Sequence, residues 1–192
     1  MLYCIIGKSA SGKDTIFTGL MGKEELGLRR LITCTTRPKR PGEKEGIEYS
    51  FVSEASFREM DAAGRIIEKR AYDTRLGMWY YFTTDETDVL SGRYLVIATV
   101  DSCASYISRW GKENVLPIYL EASDHTILLR YINREAQREE PRYDEVCRRF
   151  LADREDFSEE RLSSIGVTAR FSTEEGPDEC IEKVAGYIRA TF

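Results

Sequence analysis

Leu2-Tyr3-Cys4-Ile5-Ile6-Gly7-Lys8-Ser9-Ala10-Ser11-Gly12-Lys13-Asp14-Thr15 is the stretch whose reading decides the fold. It opens as an apolar run, Leu2 to Ile6, of a length and β-branching that suit a buried strand. The run breaks at Gly7. After Gly12 and Lys13 an apolar stripe of Ile16, Phe17 and Leu20 predicts a helix. A strand, a glycine-bounded loop and a helix form the setting of a phosphate-binding loop. The first turn of a helix has backbone N–H groups without partners, and its dipole end is positive. Gly7 and Gly12 let the backbone curl so that those donors converge on a phosphate, and Lys13 adds a full charge for the β- and γ-phosphates. The pattern G-x-x-x-x-G-K-[ST] fails at its last position. Asp14 stands where a Ser or Thr hydroxyl would hold Mg²⁺, and Thr15 follows. A carboxylate beside phosphates needs a cation between them, so Asp14 binds the metal directly or through water, or Thr15 takes the role.

The rest of the composition bounds what this loop can serve. A chain of 192 residues supports one domain with a sizeable core. Its formal charge of −5 argues against nucleic acid as a partner, so any anionic ligand must meet a local cluster of Arg and Lys. No charged-then-apolar leader and no apolar run near twenty residues is present, so the expectation is a cytoplasmic protein without membrane association. The five cysteines are scattered and never spaced C-x-x-C, which reads as reduced packing residues rather than disulfides or a metal site. The single histidine, His125, removes most histidine-based catalysis and most zinc sites.

Along the chain the pattern predicts strands at Arg30 to Thr36 and Ile47 to Val52, with a Pro- and Gly-containing loop from Pro38 to Gly46 between them. Ser53 caps a helix that carries Phe57 and Met60 and stops at Gly64. Arg65 to Tyr72 and Met78 to Thr83 read as a hairpin. Asp85 to Leu90 reads as a short helix, Tyr94 to Val100 as the best buried strand, and Ser102 to Trp110 as a helix. Asn114 to Leu120 is a further strand, weakened by Pro117. Ser123 caps a helix with Ile127, Leu128, Tyr131 and Ile132 inward, and a long helix runs from about Tyr143 to Leu162. Val167 to Phe171 closes the set of strands, and Pro177 opens a last helix with Ile181, Val184, Ala185 and Ile188 on one face. Strands alternating with helices give the α/β class: a parallel sheet flanked by helices, with ligands at the carboxyl ends of its strands.

Residues 33 to 52 carry a second anion site. Arg37 and Arg40 offer two guanidinium forks, and Tyr49 adds a hydroxyl, a combination that grips a phosphate monoester. With Thr35, Thr36, Glu43, Gly46, Phe51 and Val52 they also fall where the guanylate kinase signature has these residue types, and the chain resembles that family over most of its length, more thinly after about residue 155. The resemblance implies a P-loop fold in one domain: a core of 1–32, 84–133 and 144–192, a GMP-binding insert of 33–83 with a small mixed sheet, and a helical lid of about 134–143. It implies ATP-dependent phosphorylation of GMP to GDP with Mg²⁺, in a monomer or homodimer. ATP would be held by Gly7, Ser9, Ala10, Ser11, Gly12, Lys13, Asp14 and Thr15. The GMP phosphate would meet Arg37, Arg40, Tyr49 and Tyr81, and the base would be read by Thr33, Glu68, Thr83 and Asp101. Glu68 accepts from guanine N1–H and its 2-amino group; adenine would leave that carboxylate unpaired at about 1–3 kcal/mol. Lys13, Arg37, Arg134 and Arg149 would neutralise the transferring phosphoryl group, with Asp14 and Asp101 toward the metal.

Departures from the signature leave other readings open. Ala98-Thr99-Val100-Asp101 replaces an acidic-x-Asp pair, with the surviving Asp101 one residue late. Phe82 sits where the family has glycine, and Phe171-Ser172-Thr173 stands where an Asn-Asp near the adenine is usual. Ribose 1,5-bisphosphate phosphokinases, which look like guanylate kinases, also carry Gly-Lys-Asp before a hydroxyl residue, so another phosphorylated acceptor is one alternative. A non-catalytic guanylate-kinase-like binding module is the other.

Overall fold

A computed structural model describes residues 1–74 and 77–191. Strands β1 (Leu2–Ile6), β2 (Leu28–Arg30), β7 (Arg93–Ile97), β8 (Val115–Glu121) and β9 (Ala169–Ser172) form a parallel sheet in the order β2-β7-β1-β8-β9. β1 lies at its centre, and all of its residues are buried. Leu2, Cys4 and Ile6 face one core cluster, with Val96, Cys103 and Tyr106. Tyr3 and Ile5 face the other, with Ile16, Phe17, Leu20, Val184 and Ile188. Both faces are covered by helices, which is why β1 reads as a continuous apolar run instead of an alternating one. Helix α1 (Lys13–Met21) and the terminal α7 (Pro177–Arg189) cover the second face. Pro117 falls in register with Cys4, one residue before β9 begins to pair with β8 at Ile118, a position where a missing N–H leaves the outer ladder intact.

A second, mixed sheet has the order β4-β3-β6-β5. It is built from β3 (Cys34–Thr35), β4 (Ser50–Phe51), β5 (Ile66–Thr74) and β6 (Gly77–Thr84), with helix α2 (Glu54–Ala62) against it. Ser53 caps α2 by accepting from Ser56 N, and Gly64, at φ +67°, ends it. The hairpin of β5 and β6 is as the sequence predicts, and longer. A register shift between Ile66 and Glu68 marks a β-bulge. Bulges re-aim side chains; here Glu68 is buried while Lys69 is exposed.

Several predicted elements differ from the structure. The run Arg30 to Thr36 is two strands in two sheets: Leu31 N still donates to Leu95 O in the parallel sheet, whereas Cys34 pairs with Phe82 in the mixed one. Strand propensity gives no sign of which sheet takes the hydrogen bonds. Ile47 is 47% exposed and outside β4, so Ile47 to Val52 shortens to Ser50–Phe51. Asp85 to Leu90 forms no α-helix; a single 3₁₀ turn, Val89–Ser91, is capped by Asp88. β7 stops at Ile97, because Thr99 caps α3 (Val100–Trp110) by accepting from Ser102 N; the cap prevails over the β-branched run. On α4 (Asp124–Glu135) Ile132 faces solvent, and the buried stripe is Ile127, Tyr131 and Glu135. The long helix from Tyr143 is α5 (Tyr143–Asp156) followed by α6 (Glu159–Ser164), broken where Ser158 takes an extended conformation at φ −64°, ψ 152°.

The mixed sheet has its own small core. Phe82 is fully buried against Cys34 and Phe57, and Phe57 stacks on Tyr80 with ring centroids 4.1 Å apart. Truncating such a side chain costs about 3–5 kcal/mol. Phe82→Ala should therefore strip hydrogen-exchange protection from residues 66–84 while β1 and β8 stay protected. Simultaneous deprotection of β1 would show instead that the two sheets unfold as one unit.

Candidate active site

The carboxyl end of β1 opens directly into the loop at Gly7. A Cβ at that position would stand 2.6 Å from Leu120 O and 2.8 Å from Ser11 Oγ, so only glycine fits there. Gly12 sits at φ +92°, where α1 begins, and Ala10 takes the left-handed region at φ +61°. The loop holds its own shape: Ser11 N donates to Lys8 O, and Lys8 Nζ pairs with Asp124 at 2.7 Å. Lys13 Nζ turns back onto the carbonyls of Gly7 (2.7 Å) and Lys8 (2.8 Å). Burial pulls its pKa from 10.5 down to about 8; Asp153 and Asp14 oppose the shift and Arg134 adds to it. Ser9 N donates to the Asp153 carboxylate at 2.6 Å. Ser11 Oγ is fully buried and has no hydrogen-bond partner. Asp14 and Thr15 lie exposed on the first turn of α1. A cleft of about 260 Å³ opens beside this turn, lined by Gly12, Thr15, Ile16, Arg130, Thr173 and Pro177. Arg130 donates to Thr173 Oγ1 and to Thr173 O across it.

A second cluster lies on the mixed sheet. Arg37 is 3% exposed. Its Nε donates to Tyr81 OH at 3.0 Å, and its two terminal nitrogens donate to the two carboxylate oxygens of Glu43 at 2.9 and 2.7 Å. Its guanidinium lies over the rings of Tyr49 and Phe51, and Tyr49 meets Tyr81 edge-on. Glu43 is held at about 2, chiefly by the hydrogen bonds from Arg37 and also by the one from Arg40 N. The side chain of Arg40 is exposed, and Thr33 is half-buried, its carbonyl accepting from Ser50 N.

Glu68 joins this cluster to the parallel sheet. It is 7% exposed. Thr83 Oγ1 donates to its Oε1 and Ser102 Oγ to its Oε2, each at 2.9 Å, with Tyr106 OH 3.4 Å from Oε1. Because Thr83 spends its proton on Glu68, the 2.7 Å contact between Thr83 and Tyr106 has Tyr106 as donor. Ser102 and Tyr106 belong to α3, which starts just past the end of β7. Since β7 pairs in parallel with β1, with Ile97 opposite Ile5, the start of α3 and the loop at Gly7 share one edge of the sheet. That edge is where ligands of open α/β sheets bind.

The arginines of the 134–149 region divide. Arg134 stacks on Tyr131 at 4.9 Å and is one of the charges that act on Lys13. Tyr131 packs in a cluster with Ala10 of the loop and also neighbours Arg149. Arg149 and Arg148 share the carboxylate of Glu145, at 2.6 and 2.7 Å. Asp101 is not brought to either cluster: its carboxylate is exposed and paired with Arg161 of α6. Ser102, its neighbour on α3, is the residue that faces Glu68. Sequence reading also missed Asp153 and Tyr106, which enter only through contacts distant in the chain. Among the described residues no group of three or more His, Cys, Asp or Glu is gathered to hold a metal ion, and no helix is long and apolar enough to cross a membrane.

The family model described as guanylate kinase matches residues 1–91, which hold the loop and the mixed sheet. A curated guanylate kinase of Nitrosococcus oceani is 30% identical over 145 residues, 70% of this chain and 68% of its own length. The chain belongs to the guanylate kinase family. A guanylate kinase of Symbiobacterium thermophilum is 47% identical over 68 residues, which span 35% of this chain and 32% of that protein. The chain thus spans about a third of the length of the first curated relatives it matches. The crystal structure of guanylate kinase from Anaplasma phagocytophilum shares the fold, with a TM-score of 0.62 at 17% identity over 99% of this chain and 85% of that one. The family-model match ends at residue 91, earlier than the thinning near residue 155 read from the sequence.

Both features of the loop are testable without a nucleotide. An anion that reaches Ser9 N must displace Asp153, so Asp153→Asn should tighten binding of inorganic triphosphate several-fold by calorimetry; weaker binding would show that Asp153 supports the loop instead. Lys13 is charged below about pH 8 and loses its proton above it. Triphosphate affinity should accordingly fall as pH rises through 8, with a proton taken up on binding near pH 9, visible in buffers of different ionisation enthalpy. Lys13→Met should abolish the uptake. Between about 8 and 10.5 the unfolded chain binds more protons at this residue, so its contribution to stability rises with pH across that window.

Proposed function

We propose that the chain transfers the γ-phosphoryl group of ATP to GMP. The observation that carries this reading is the pairing of a lysine-bearing phosphate loop with a mixed sheet that holds an Arg37–Tyr81–Tyr49 cluster and the buried carboxylate of Glu68, tied by α3 to the same sheet edge. Family membership supports the same chemistry.

In this reading the unit of residues 33–83 is the acceptor insert, and residues about 134–143 form the lid. Lys13 leaves the carbonyls of Gly7 and Lys8 for the donor phosphates, and the amides of Ser9 to Lys13 complete the cradle. The orphaned Ser11 hydroxyl finds an acceptor there, which supports the fit of a phosphate. Arg37, already fixed by Glu43 and Tyr81, orients the acceptor phosphate together with Tyr49, and the free side chain of Arg40 closes over it. Arg134 and Arg149, gathered at Tyr131 beside Ala10, neutralise charge on the moving phosphoryl group and help to exclude water. Phosphoryl transfer asks for position and charge more than for a strong base, which agrees with a site that has no histidine. The hard oxygen donors of Asp14 and Thr15, exposed beside Lys13, suit Mg²⁺ shared with the phosphates. Bound there, Mg²⁺ would supply charge neutralisation for the phosphates.

Turnover of ATP with Mg²⁺ against a panel of GMP, dGMP, AMP and ribose 1,5-bisphosphate tests the assignment. GMP or dGMP should be the preferred acceptor; ribose 1,5-bisphosphate as the only one overturns it. Glu68→Gln should weaken GMP about ten-fold or more, given about 1.5–3 kcal/mol for a hydrogen bond to a charged group, and leave ATP affinity nearly unchanged. Equal losses for both nucleotides would mark Glu68 as a structural ion.

A further inference from the structure

Arg70 stands two residues beyond Glu68 on β5, in register with Tyr81. Its Nε lies 3.3 Å from Glu68 Oε2 in an ion pair, and the buried N–H makes no hydrogen bond. Thr83 and Ser102 already donate to the two oxygens of Glu68, and a carboxylate offers about four acceptor sites. Glu68 therefore keeps acceptor capacity, and beside it Arg70 presents an unused donor. The Arg70 side chain is 30% exposed, so it is not sealed in the interior. Tyr49, Tyr72 and Tyr106 are its other electrostatic neighbours, which sets the guanidinium between the buried carboxylate and the cluster around Arg37.

A buried donor attached to a permanent charge is costly to leave unmet. An acceptor next to a donor is also a readable edge. The 6-oxopurines carry the complement, an N1–H donor beside an O6 acceptor. Adenine carries the reverse, an unprotonated N1 beside a 6-amino donor. We propose that Arg70 donates from its guanidinium to the 6-oxo oxygen of the acceptor base and, with Glu68, selects guanine over adenine. This rests on the GMP reading above and adds to it a residue that holds the face of the base Glu68 cannot bind, because a carboxylate has no proton to offer O6.

The test is calorimetric binding of four monophosphates to wild-type protein and to Arg70→Met, which keeps the length of the stem and removes every donor. GMP and IMP carry the 6-oxo group; 2-aminopurine riboside monophosphate and AMP lack it. GMP and IMP should weaken ten-fold or more in the variant, with the 2-aminopurine ligand changed less than two-fold. Unchanged ATP affinity reports that the variant is folded. An equal loss for GMP, IMP and the 2-aminopurine ligand would assign Arg70 to the common phosphate, and no loss for GMP would make it a bystander; either overturns the proposal. Wild-type protein that binds ATP but no purine monophosphate would refute the acceptor assignment itself, a result distinct from the other two.

Discussion

The carboxylate of Glu68 is the point at which the two sheets of this molecule meet. A charge with so little access to water survives only with partners in place, and removing one partner of such a group is far more damaging than removing an exposed ion pair. Two donating hydroxyls and the positive charge of a guanidinium supply those partners, from β5, β6 and α3. The bulge after Ile66 turns the carboxylate inward, and the Thr99 cap sets the first turn of α3 where Ser102 can meet it. The mixed sheet is thereby anchored at the carboxyl edge of the parallel sheet, beside the loop that β1 carries.

The charged groups of both anion clusters have partners within the protein, while the Ser11 hydroxyl of the loop has none. Lys13 rests on loop carbonyls and Ser9 N on Asp153; Arg37 rests on Glu43. In a chain of net charge −5, carboxylates are abundant enough to stand in for phosphate oxygens. The stand-ins keep the cradles shaped, and they set a threshold that an arriving anion must exceed. The depressed pKa of Lys13 comes from burial, against the pull of Asp153 and Asp14: the ammonium is held in a desolvated place that suits a phosphate better than the carbonyls now occupying it.

What the sequence disclosed was whatever depends on neighbours in the chain. Gly7, Gly12 and Lys13 serve one loop, and Arg37 to Tyr49 serve another, so each shows as a compact pattern. The apolar run of β1 and the stripes of α1 and α7 were equally legible, because burial leaves a local period. Contacts made across long separations left no such trace. Ser102 and Tyr106 lie 34 and 38 residues from Glu68, and Asp153 lies 144 from Ser9. Asp101 looked like the surviving acid of its motif, yet α3 turns its carboxylate to Arg161 and presents Ser102 instead. The strand read at Arg30 to Thr36 failed for a related reason: one extended run is shared by two sheets, and nothing local says where it changes partner.

The chain leaves the parallel sheet after β2 and re-enters at β7, and those strands are adjacent, with Arg30 opposite Leu95. The excursion therefore starts and finishes at nearly the same place. Closing such a detour has an entropy cost that grows only with the logarithm of its length. The module between these strands could be lengthened, trimmed or exchanged over evolutionary time without disturbing the ladder beneath it. An architecture of this kind lets a lineage alter the cluster around Arg37 while keeping the loop at Lys13.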